Sequence, residues 1–118
     1  SRSGKCQDGE AAKDLQELCG IQVLMQRCDV SSQDAVNSAA EAMKALGDIP
    51  VKGVVHAAGV LEDHLIAHME QGHLKPVLAP KMDGAIHLQA AFGGLEHFLL
   101  FSSVAALLGS PGQGNYAA

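Results

Sequence analysis

Residues 51–59 read VKGVVHAAG, an apolar run that ends in three small residues. A short β-branched run bounded by turn residues reads as a strand. The small residues after it predict a tight turn at the strand's carboxyl end. Upstream, QDGEAAKDLQELCG (7–20) reads as a helix that Gly20 stops, and IQVLMQ (21–26) as a short apolar strand. Ser31 and Asp34 form an S-x-x-D pattern that predicts a capping box. Behind it Val36, Ala39, Ala40, Met43 and Leu46 recur at helical spacing, up to Gly47. Downstream, one helical turn is expected over 64–69, a longer helix over 74–92, and a third strand over EHFLLFSS (96–103).

Apolar strands separated by helices of this length imply βαβ units. The expected fold is therefore α/β, a parallel sheet with helices on both faces. The length suits one domain over residues 1–118. In such sheets ligands sit beyond the carboxyl ends of the strands. Cys28-Asp29, His56-Ala57-Ala58-Gly59 and Ser102-Ser103 are thus the positions to examine.

Composition narrows the function classes. Hydrophobic residues make up 47% and charged residues 18%, enough apolar material for a packed core. Net charge is −5 with His neutral, and the eight Lys and Arg form no basic stripe, so no nucleic-acid surface is expected. No apolar run approaches the roughly 20 residues of a membrane span. The polar stretch SRSGKCQDGEAAKD reads as no signal peptide, and Cys6, Cys19 and Cys28 lack CxxC spacing. They are expected to be reduced thiols of a cytoplasmic protein.

In LKPVLAPKMDGAIHLQAAF (74–92), Leu74, Val77, Leu78, Ala85, Leu88 and Phe92 share one stripe, and Lys81 lies near its centre. An unpaired ammonium is costly to bury. Lys81 therefore either snorkels out, is turned outward by a kink at Pro80, or has a task. The closing stretch FSSVAALLGSPGQGNYAA supplies a candidate task, because it carries Ser103 and the single tyrosine, Tyr116. A phenol is a poor proton donor at neutral pH, and a nearby ammonium favours its ionised form. A hydroxyl at a strand end holds a carbonyl oxygen beside such a phenol. Lys, Ser and Tyr together are the parts needed to protonate an oxygen while hydride arrives at carbon.

HAAGVLEDHL, LAPKMDGAIHL and FLLFSSVAALLGSPGQGNYAA, in that order, resemble the ketoreductase domain of modular type I polyketide synthases, in the short-chain dehydrogenase/reductase superfamily. The resemblance runs over essentially the whole chain. It implies a Rossmann-like fold, NADPH as cofactor, and reduction of a β-ketoacyl thioester on an acyl carrier protein, alongside other synthase domains. Carried over by motif, Tyr116 would be the proton donor and Ser103 the hydrogen-bond donor to the carbonyl. Lys81, in the APK segment, would support both the phenol and the cofactor ribose. In the wider superfamily the lysine instead follows the tyrosine by four residues, a position beyond Ala118 here. Arg2, in SRSG, would meet the 2′-phosphate of NADPH, and Asp29 the adenine. Ala57, Ala58 and Gly59 would let the cofactor approach backbone. LED at 61–63 is similar to the LDD signature of B-type stereochemistry; Asp63 matches and Glu62 departs.

The resemblance also implies that the first strand and a glycine-rich pyrophosphate loop precede Ser1, and that the rest of the tyrosine helix follows Ala118. The chain is then expected to be an internal fragment that, isolated, binds NADPH poorly. Other readings stay open. Asp29 and Ser31 compete to cap the next helix, Arg2 is equally a solvated terminal residue, and Ser102 adjoins Ser103. A free-standing short-chain reductase and a non-catalytic structural portion of a synthase are the alternative functions. A serine hydrolase is remote, because FSSVA is not a G-x-S-x-G elbow. GSPGQG lacks the GK[ST] of a P-loop. His64 and His68 stand four apart, but no third ligand is placed, and no metal is expected.

Overall fold

The computed structural model describes residues 13, 17, 20, 23–47 and 49–118. Its regular elements are helix α1 (Gln33–Lys44), strand β1 (Gly53–His56), a 3₁₀ turn (Ile66–His68), helix α2 (Gln71–Ala91), strand β2 (His97–Leu100), and the short helices α3 (Ala105–Leu108) and α4 (Gly114–Ala117). Strands β1 and β2 pair in parallel, Gly53 opposite His97 through His56 opposite Leu100. The helix between them makes this the βαβ unit expected from the sequence.

The ladder continues past both ends. Glu96 N–H and His97 N–H both donate to Lys52 O, at 2.9 and 3.1 Å, and Phe101 N–H donates to His56 O at 2.9 Å. An exposed Lys52–Glu96 ion pair adds a side-chain clip at the entry end. Gly53 packs closely there: a Cβ would stand 3.3 Å from both Cβ and O of His97.

Helix α1 does not start where the S-x-x-D pattern places it. Ser32 is the N-cap, its hydroxyl accepting from Ala35 N–H at 3.3 Å. Ser31 is drawn off by Asp29, whose Oδ1 accepts from Ser31 N–H at 3.1 Å and Ser31 Oγ–H at 2.7 Å. A carboxylate two residues upstream thus outcompetes the helix end for Ser31. The helix closes at Ala45 instead of continuing to Leu46.

Helix α2 begins at Gln71, three residues before the periodic apolar stripe. The reason is a reciprocal cap: the Glu70 side chain accepts from His73 N–H, and His73 Nδ1 accepts from Glu70 N–H at 3.1 Å. Histidine replaces the usual Glu or Gln in that pattern, so the motif is not visible to a capping-box search. The helix runs through Pro76 and Pro80, each of which removes one internal N–H donor.

The core lies between α1 and α2, where Val36, Ala40 and Val77 are buried. Gly84 gives α2 its close approach to the chain entering α1: a Cβ there would meet Val30 Cγ2 at 2.9 Å and His56 Cε1 at 3.3 Å. His87 Nδ1 lies 2.9 Å from Val30 O and closes the same contact.

One expected strand is not formed. Residues 23–26 are irregular chain rather than a strand, and Leu24 and Met25 are exposed; Ile21 and Gln22 lie outside the described residues. A short apolar run becomes a strand only where a partner ladder forms, which periodicity does not report. Among the described residues Val55, Leu99, Leu100 and Phe101 are all more than half exposed. Of the expected 7–20 helix, Lys13 and Glu17 are helical and most of the rest lies outside the described residues. Among the described residues no helix is long and apolar enough to cross a membrane.

Candidate active site

The carboxyl ends of β1 and β2 lead into segments 57–65 and 101–104, and α4 folds back against the first of them. Three interactions fasten α4 and its preceding turn to the segment after β1. His64 N–H donates to Gly112 O at 2.7 Å. Gln113 Nε2 lies 3.2 Å from each carboxylate oxygen of Asp63. Asn115, with no exposed surface, donates from Nδ2 to Glu62 O at 2.7 Å and to His73 O at 3.1 Å. A buried amide that bridges two carbonyls from different segments fixes its own orientation, and so that of the next residue, Tyr116.

Lys81 reaches this point from α2. Its Nζ stands 5.2 Å from the centroid of the Tyr116 ring and 3.4 Å from Phe101 O, to which it donates. The first distance is within cation–π range. The lysine is half-buried, and a Cβ on Gly59 would lie 3.5 Å from its Cε. Lys81 is not turned away by a kink at Pro80. The helix stays continuous through Pro80, and the amine lies between the two strand ends and the tyrosine.

Ser103 is half-buried just beyond β2, and its Oγ accepts from Ala105 N–H at 3.2 Å, steadying the first turn of α3. Ala57, Ala58 and Gly59 follow β1 directly. Asp29 sits at the turn into α1 with Ser31 on its carboxylate, away from the capping position that Ser32 holds. Burial pushes the neighbouring Cys28 thiol above its usual value, and the Asp29 charge adds to the effect. Arg2 lies outside the described residues.

The fold thus gathers Lys81, Tyr116, Gly59 and Phe101 at the end of β2, with Ser103 two residues further along the chain, and ties Asp63 to the turn before Tyr116. Asn115, Gln113 and His73 escaped the sequence reading. An asparagine in a glycine-rich loop reads as a turn former, and only its total burial reveals a bridge. A cleft of about 640 Å³ is lined by Ser31, Val60, Gln71, Lys75, Pro76 and Pro80 among others, and by none of Lys81, Ser103 and Tyr116.

The family model of the KR domain matches residues 1–118. The phenolphthiocerol synthesis polyketide synthase type I Pks15/1 of Mycobacterium marinum is 45% identical over 125 residues, covering 100% of this chain and 6% of that protein. Polyketide synthase GfsE of Streptomyces halstedii is 43% identical over 113 residues, covering 91% of this chain and 3% of the relative. The chain therefore spans only a few per cent of the length of these relatives. Among solved structures, a ketoreductase domain from the bacillaene assembly line superposes with a TM-score of 0.84 at 32% identity, covering 99% of this chain and 28% of the other. An N-terminal ketoreductase from the macrolactin assembly line gives 0.82 at 27% identity, covering 99% and 24%.

KR domains bind a nicotinamide cofactor. The residues here fit such a group. Three small residues, Ala57, Ala58 and Gly59, follow the carboxyl end of a parallel strand, where a dinucleotide lies against backbone in folds of this kind. By its sequence throughout and by its Rossmann-like α/β fold, the chain belongs to the KR domain family, the ketoreductase domains of polyketide synthases.

Proposed function

We propose that this chain forms the centre of an NADPH-dependent ketoreductase that converts a β-ketoacyl thioester on an acyl carrier protein to the β-hydroxyacyl thioester. The observation that carries the reading is the approach of the Lys81 amine to Tyr116 at the carboxyl end of a parallel sheet. When bound, the nicotinamide supplies hydride to the carbonyl carbon. Tyr116 then donates its phenolic proton to the carbonyl oxygen, and Ser103 hydrogen-bonds the same oxygen. The Lys81 ammonium offers positive charge where the phenol oxygen becomes negative. To do this, Ser103 turns its hydroxyl hydrogen toward substrate while its oxygen keeps the bond from Ala105 N–H.

Asp29 would meet the adenine and Ala57–Gly59 would let the cofactor lie against backbone. Arg2 would pair with the 2′-phosphate, a task for which a guanidinium's forked donors suit it. Asp63, held by Gln113, would shape the acyl approach in the B-type sense. The domain would be completed by a first strand with its glycine-rich loop and by the rest of the tyrosine helix. The 118 residues alone would then reduce little, because the pyrophosphate lacks a helix N-terminus. Other synthase domains are the expected neighbours, in the cytoplasm.

The test uses the complete domain. NADPH consumption is followed with a β-ketoacyl thioester for the natural protein and for Tyr116→Phe. A fall in kcat of at least about a hundredfold is expected, the usual size of a lost general acid. Equal rates would remove Tyr116 from the chemistry and favour a structural role for this portion.

A further inference from the structure

The sequence pairs His64 with His68; the fold pairs it with His73 instead. The His64 and His73 rings stack with centroids 3.9 Å apart and 13° between planes. Glu62 joins them: its Oε1 lies 3.4 Å from His64 Nε2. One donor atom from each of Glu62, His64 and His73 lies within 4.8 Å of the others, and all three residues are half-buried.

We propose that Glu62, His64 and His73 form a binding site for a divalent transition-metal ion of the zinc class, joining the segment after β1 to the first turn of α2. Two imidazoles and one carboxylate are a donor set for zinc and its first-row neighbours, whereas calcium and magnesium prefer oxygen alone. At metal–ligand bonds of about 2.0–2.1 Å, tetrahedral ligands stand roughly 3.3 Å apart. The Glu62–His64 pair is already at that separation.

The frame behind the donors is built from backbone. Glu62 O and His73 O are held by the same buried Asn115 amide, and His64 N–H is fixed to Gly112 O. The backbone positions that carry the three side chains are therefore tied to one another. His73 has one adjustment to make. Its Nδ1 accepts from Glu70 N–H, and its ring lies parallel to His64, so it must turn to present a lone pair to an ion shared with His64. Coordination thus competes with one capping bond of α2, which sets the expected affinity in the micromolar range rather than the nanomolar. Three protein ligands leave the fourth position open to water or an anion. Because the Asn115 bridge adjoins Tyr116, an ion here would stiffen the support of the candidate proton donor without touching it.

The complete domain is titrated with Co²⁺, whose visible absorption reports coordination, and with Zn²⁺ by calorimetry, both without substrate or cofactor. One equivalent should bind at micromolar concentration. His64→Gln and His73→Gln should each weaken binding by about tenfold to a hundredfold, while His68→Gln leaves it unchanged. Should His73→Gln fail to fold, Glu62→Gln decides, because it removes the carboxylate and keeps the carbonyl that Asn115 uses. Absence of saturable binding, or binding that survives Glu62→Gln and His64→Gln, overturns the site. Since binding is read directly, the result is independent of whether the domain reduces ketones.

Discussion

The Lys81 ammonium faces the ring of Tyr116 at 5.2 Å, although one residue belongs to the long central helix and the other to a single closing turn. The approach works because two neighbours hold the ends. Phe101 O accepts from Nζ and fixes the lysine over the strand end. Asn115 anchors the turn that carries the tyrosine.

Lys81→Met keeps the methylene stem and removes the charge. In the complete domain, kcat for ketone reduction is expected to fall by about a hundredfold, with folding preserved. Circular dichroism checks the fold and steady-state kinetics the rate. A variant that kept the natural kcat would show that the amine serves only Phe101 O and the packing.

Asn115→Ala leaves Glu62 O and His73 O without their shared donor inside the protein. His73 O keeps its place in the helix ladder, so Glu62 O is the group left unpaired, and a loss of about 1–3 kcal/mol is expected in denaturant unfolding. Asn115→Asp should be worse than Ala, because a carboxylate would face two carbonyl oxygens. Equal stability of the Asp variant would contradict the bridging geometry.

Gly84→Ala drives a methyl into Val30 Cγ2 at 2.9 Å. Overpacking of this kind costs about 1–3 kcal/mol, against a gain of about 1 kcal/mol in helix propensity. A net loss of roughly 1 kcal/mol follows. The double variant with Val30→Ala should recover the overpacking part, which a double-mutant cycle measures.

Cys28 ionises less readily than an ordinary thiol, chiefly because burial disfavours the thiolate and secondarily because Asp29 repels it. A raised pKa means a smaller thiolate fraction at any pH below it. Alkylation of Cys28 by iodoacetamide near pH 8 should therefore be slower in the folded protein than in denaturant, as read by mass spectrometry of the peptide carrying Cys28. Asp29→Asn should speed it modestly. Folded-state labelling as fast as in denaturant would contradict the burial.

The pattern of apolar runs was enough to locate β1, β2 and the helix between them, because strand and helix periods are properties of adjacent residues. It misplaced the start of α1, where Ser31 answers to Asp29 rather than to the helix. It also proposed a strand over 21–26 whose described part, from Val23 onward, is irregular chain. Both misses have one cause: a local pattern lists the groups able to bond, and the competition among partners selects.

Lys81, Ser103 and Tyr116 were legible as chemistry, since a lysine on an apolar stripe and a lone tyrosine after a strand-end serine are oddities of the chain itself. Which side chains touch was not. The approach of Lys81 to Tyr116, the Asn115 bridge between Glu62 and His73, and the pairing of His64 with His73 rather than His68 all join residues from separate segments. Such contacts exist only once the βαβ crossover has brought the segments together. Linear order therefore determined which groups this protein carries and the elements that present them. Tertiary packing decided which of those groups touch, because side-chain distance across a fold is set by how elements dock and not by their separation along the chain.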